Sequence, residues 1–111
     1  MDRIENYQQY IQELLSEYVT HPSLNPTLDR EFVCDTLHDR YLIINLGWSE
    51  NRRIHGCSIH VDIKNGKIWI QHNMTEFDIT EELLQRGVPK EDIVLGFHSP
   101  KMREYSEFAV G

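Results

Sequence analysis

His55–Met74, HGCSIHVDIKNGKIWIQHNM, alternates apolar and polar residues on both sides of Asn65-Gly66. Asn-Gly between alternating runs marks a β-hairpin, because both residues accept the positive φ angles of a tight turn. With Asn65 and Gly66 as the turn, Ile63 is expected to face Ile68, Val61 Ile70, Ile59 His72 and Cys57 Met74. Those residues form one apolar face. The opposite face then carries Ser58, His60 and Asp62 on one strand and Trp69, Gln71 and Asn73 on the other. A slip of one residue would turn the isoleucines to water, so the pattern specifies its register.

Upstream of the hairpin, Ser49–Arg53 reads as a polar loop, and Arg40–Trp48 before it as a strand. Its run Tyr41-Leu-Ile-Ile-Asn-Leu is nearly continuous in apolar residues, as in a strand buried on both faces. Gly47 marks a bulge or a close approach of backbone. Arg30–Leu37 is a further strand, joined to the last through His38-Asp39. The connector His21–Asp29 contains two prolines. Ile4, Tyr7, Ile11, Leu14, Leu15 and Tyr18 recur at spacings of three and four, which predicts a helix from Arg3 to about Thr20. Asp2 with Glu5 supplies a capping-box pattern, and His21-Pro22 stops the helix.

Downstream, Asp78 and Glu81 form a second capping signature before Ile79, Leu83 and Leu84, so a short helix follows the hairpin. Pro89-Lys-Glu-Asp suggests one more turn, and Ile93-Val-Leu-Gly-Phe an extended segment. The tail from His98, with Pro100, Tyr105 and Phe108, is too aromatic to hang free. The pattern is α+β: an antiparallel β-meander of about four strands, with an N-terminal helix and a second, shorter helix packed on the sheet.

The chain has 111 residues, one domain's worth, and needs no metal or disulfide to fold. Without an apolar run near 18 residues or a signal peptide, it reads as cytoplasmic, with no membrane association and with Cys34 and Cys57 reduced. Eighteen acids against eleven bases leave a net charge of −7. Duplex DNA binds through clustered Lys and Arg, so strong direct DNA binding is not expected.

Chemistry is sparse. His55, His60 and His72 share the hairpin, but the expected register puts His60 on the opposite face from the other two. No zinc-type spacing accompanies them, and no metal or other cofactor is implied. Both cysteines alternate with apolar neighbours and read as small core residues. Glu81-Glu82 and Glu91-Asp92 sit in first turns of helices, where negative charge suits the helix dipole. A small hydrolytic or nucleic-acid-processing enzyme would need His55, His60, Asp62 and His72 to converge in one pocket. A binding module instead draws on Trp69 among His60, Asp62 and Gln71, with the Arg52-Arg53 loop as a second contact. No catalytic residue is assigned on either account.

Longer motifs narrow the choice. Gly47-Trp48, Arg52–Cys57 (RRIHGC), Asp62–Gln71 (DIKNGKIWIQ), Gly87–His98 (GVPKEDIVLGFH) and Arg103–Val110 (REYSEFAV) together resemble the XisI-like family, named for the fdxN element excision controlling factor of cyanobacteria. Two departures are visible: Asn73-Met74-Thr75-Glu76 replaces the family's usual Asp-Gly-Thr-Glu, and Ser99-Pro100 keeps one proline of two. The resemblance implies the XisI-like fold and an accessory role in DNA rearrangement during heterocyst differentiation. That role is control of excision of a DNA element by a separate site-specific recombinase. It implies partnership with XisH, a nuclease-fold protein, or with the recombinase itself. It supplies no catalytic residues. Self-association as a homodimer is a further expectation for the Trp69 face.

Overall fold

The computed structural model describes residues 3–21 and 27–111. In chain order it contains α1 (Arg3–Thr20), β1 (Leu28–Asp35), β2 (Arg40–Ser49), β3 (Arg52–Lys64), β4 (Lys67–Asn73), α2 (Ile79–Gln85), a 3-10 turn (Lys90–Asp92), β5 (Ile93–Leu95) and the single turn α3 (Pro100–Arg103). The five strands form one sheet in the order β1-β2-β3-β4-β5. The first four are an antiparallel meander. The extended segment after α2 adds a fifth strand, parallel to β4, which the four-strand expectation lacked. A parallel neighbour needs a crossover, and α2 with the 3-10 turn supplies it.

Both longer helices cover one face. Tyr7, Ile11, Leu14 and Leu15 of α1 and Ile79 and Leu83 of α2 pack with Tyr41, Ile43, Ile59, Val61, Ile63, Ile68 and Ile70 from the sheet. The Tyr7 hydroxyl donates to Asp92, which also pairs with Arg3 at 3.5 Å, and so ties α1 to the chain ahead of β5. Burial first, then the hydrogen bond to Asp92, pushes the phenol up to about 12. At the other end of α1, Arg30 donates to the His21 carbonyl and lies 4.7 Å over the Tyr18 ring. Asp78 caps α2, accepting from the Glu81 amide at 3.1 Å. The expected cap at Asp2 and the stop at Pro22 lie outside the described residues, as does most of the connector.

Asn65 (φ 54) and Gly66 (φ 77) make the hairpin turn, with Ile63 opposite Ile68 and Val61 opposite Ile70. Beyond Val61 the register departs from simple alternation. Gln71 is an extra residue in β4, so His60 faces His72 and Ile59 faces Asn73, not His72. A second irregularity leaves Ser58 extra in β3, between Ile43–Ile59 and Ile44–Cys57. Each bulge reverses the inside–outside alternation beyond it. Ser58 is therefore buried, 3.5 Å from Asn45 Oδ1 on the helix side, whereas Met74 is exposed. Cys57 is half-buried and Cys34 exposed, so neither is the core residue that alternation implied.

The SENRR segment is no loop. β2 runs to Ser49, Glu50 (φ 59) and Asn51 turn, and Arg52 already begins β3. Gly47 is a close approach: a Cβ there would stand 2.2 Å from the Thr27 carbonyl oxygen, where β1 begins. Gly47→Ala is expected to lose more than about 1 kcal/mol of stability, because its φ of +156 adds strain to that clash. Urea denaturation checks this, and an unchanged midpoint would mean that the β1 backbone backs away freely.

Candidate functional site

The sheet face turned away from α1 and α2 divides into two halves. Over β4 and β5 it is closed. Trp69 and Val94 point there, and the tail runs alongside, with Ala109 bridged to Val94 and its amide donating to Ile93 at 2.9 Å. Gly111 reaches the Trp69 ring, where its Cβ position is 3.6 Å from the indole. Lys67 donates to the Gly111 carbonyl and Arg103 to that of Val110. Two cations approach the same ring, Lys64 Nζ at 4.3 Å and Arg103 Cζ at 5.1 Å from its centroid. Trp69 is left 8 % exposed. The tail does pack on the body as expected, through Phe108 and Ala109, although Tyr105 stays exposed.

Beside Trp69 lies a polar knot. His60 Nε2 is 2.9 Å from Asp62 Oδ1, and Gln71 Nε2 donates to Asp62 Oδ2 at 3.2 Å. His60, Asp62 and Gln71, singled out on the sequence, are thus in contact, because the extra residue in β4 keeps Gln71 on Asp62's side. Both Asp62 oxygens are engaged, as in a carboxylate that orients its neighbours. The same bulge corrects the histidine placement: His72 pairs with His60 and lies on its face. His55, opposite Leu46, also shares that face, but it is five residues from His60, roughly 15 Å along a strand. Among the described residues no group of three His, Cys, Asp or Glu side chains could hold a metal ion. Burial raises both thiols, Cys34 also through Asp35, away from the thiolate a nucleophile needs.

Over β1–β3 no described segment covers the same face. Val33 on β1 and Leu42, Ile44, Leu46 and Trp48 on β2 share it by register, with Val33 44 % and Trp48 53 % exposed and the others half-buried. Arg53, opposite Trp48, lies 5.4 Å from the centroid of that ring. Arg52, opposite Ser49, alternates to the other side, so the two arginines do not act together. The apolar run of β2 had read as buried on both faces. Only Tyr41 and Ile43, on the helix side, are buried. The signal for the open face was nonetheless in the chain: Leu42, Ile44, Leu46 and Trp48 fall in one alternating phase.

On the helix side, a groove of about 720 Å³ opens beyond the end of α1, lined by Tyr18, Arg30, Asn45, Ile54, Met74 and Phe77 among others. No helix of the described residues is long and apolar enough to cross a membrane.

No curated protein sequence matches this chain. Two crystal structures from Anabaena variabilis ATCC 29413 do. One is of an XisI-like protein, 39% identical over 97% of this chain and 99% of its own, with a TM-score of 0.90. The other is of the fdxN element excision controlling factor XisI, 36% identical over 99% and 100% of the two chains, with a TM-score of 0.86. The family model described as XisI protein matches residues 1–110. The mixed sheet and its two covering helices are thus the XisI fold, and the chain belongs to the XisI family.

Proposed function

We propose that this chain is an excision-controlling factor that acts by binding protein rather than by catalysis. The observation that carries this reading is its end-to-end likeness to the fdxN element excision controlling factor XisI. The chemistry of the sheet supports it. Both oxygens of Asp62 are engaged by His60 and Gln71, both thiols are shifted away from the thiolate, and an apolar stripe with Val33 and Trp48 exposed runs along one sheet face. Such a face suits a protein partner. By this reading the partners are an XisH-like nuclease-fold protein, a site-specific recombinase, or both. His60 and Arg53 stand nearest the open face and are the contacts proposed from the original set. Asp62 and Gln71 position His60, and Trp69 supports them from beneath the tail.

Purified XisH-like protein and recombinase, each mixed with this chain, test the reading by co-elution in size-exclusion chromatography. Co-elution with either one is the expected result. In a gel-shift titration the chain alone is expected to bind duplex DNA no better than other acidic proteins. Micromolar DNA affinity with a steep salt slope, and no co-elution, would replace this reading with direct action on DNA, since that slope reports phosphate neutralisation.

A further inference from the structure

We propose that the open half of the sheet, over β1–β3, is a self-pairing surface on which a second copy of this chain docks face to face. The inference rests on the layout of the face and stands whether or not the controlling-factor reading holds; a partner that uses Arg53 and His60 would have to displace the second copy.

The layout is a stripe with unlike flanks. Down the middle run Leu42, Ile44, Leu46 and Trp48, with Val33 beside them. On the β1 flank the same face carries Asp29, opposite Leu46, and Glu31, opposite Ile44, both exposed. On the β3 flank it carries Arg53, opposite Trp48, His55, opposite Leu46, and His60, opposite Leu42. Exposed acid lies along the β1 edge of the stripe, and along the β3 edge lie Arg53 and two histidines, with Asp62 at the far end engaged by His60 and Gln71. Beyond β3 the tail over Trp69 closes the sheet, so the open area ends there.

A two-fold pairing of sheet faces has its axis in the plane between them. An axis across the strands would lay β1 on β1 and set acid against acid. An axis along β2 lays β1 of each copy over β3 of the other. Asp29 then lies over His55 of the second copy, with Arg53 two residues further along and within reach of its long side chain, twice over, and the stripe covers itself. Aligned sheets pack about 10 Å apart with strands within about 30° of each other, which suits side chains as long as Leu and Trp meeting at the centre. Edge-to-edge pairing through β1 is the poorer alternative, because it brings the two acidic strands side by side.

The chain alone, followed by sedimentation velocity over a wide concentration range, tests this. Wild type is expected to shift from one to two chain masses as concentration rises. Ile44→Glu is expected to weaken pairing at least about thirtyfold, as loss of a central apolar contact does, with little change in melting because Ile44 lies outside the helix-covered core. Asp29→Arg and Arg53→Asp are each expected to weaken the dimer, and the double variant to restore it, since the two-fold reverses both members of each pair together. A wild type that stays monomeric throughout overturns the proposal, even if a different protein covers the face. So does a dimer indifferent to Ile44→Glu, or a double variant as weak as either single one.

Discussion

Trp69→Ala is expected to lower the unfolding free energy by about 3–5 kcal/mol, the range for truncating a large buried aromatic. The ring is 8 % exposed, lies opposite Asp62 and Val94 in register, and holds the tail through contacts at Gly111 and Arg103. Its two cations add to the packing, each by about 0.5–1 kcal/mol where solvent still reaches them. A domain of this kind is stable by only about 5–15 kcal/mol, so the loss is a large share. Trp69→Phe is expected to cost less. It keeps most of the ring contact and removes a buried indole N–H that has no hydrogen-bond partner among the described residues. Chemical denaturation of both variants measures the difference. An alanine variant that melts like wild type but no longer binds a partner would return Trp69 to the surface role suggested by its polar neighbours in sequence.

Val61→Asp is expected to leave the chain unfolded at neutral pH. Val61 is fully buried, faces Tyr41 on one side and Ile70 on the other, and lies beneath the helices. An unpaired carboxylate there costs several kcal/mol, comparable with the stability of the whole domain. Gln71→Asp, two positions on from Trp69, should still fold. It is not silent, however, since it exchanges a 3.2 Å hydrogen bond to Asp62 for a second carboxylate. About 1–2 kcal/mol is the expected cost of that loss. Circular dichroism and thermal melts of the two variants rank them, and the reverse order would mean that the two faces of the hairpin are exchanged.

The features legible along the chain are those set by neighbours in sequence. The helical spacing from Ile4 to Tyr18 became α1 with the expected ends, and the capping pair Asp78–Glu81 became the start of α2. Asn65-Gly66 set the hairpin and the pairs Ile63–Ile68 and Val61–Ile70, because the turn and the two-residue period act within a few positions. The same period misled further out. Nothing local marks Ser58 and Gln71 as extra residues, yet each reverses the alternation beyond it. They carried His72 to the face of His60 and Met74 into solvent.

Coverage of the sheet is a matter of chain far away in sequence. Leu42, Ile44, Leu46 and Trp48 look as apolar as Tyr41 and Ile43, and Trp69 stands in a polar phase. Trp69 is nonetheless buried, because a tail some forty residues later lies over it (Lys67 meets Gly111 across 44 positions), whereas no described segment reaches the β2 stripe. Alternation assigns a residue to one side of a sheet. Which side becomes core depends on where the helices and the tail come to rest, and the remaining apolar side chains of β2 stay open to a partner for that reason.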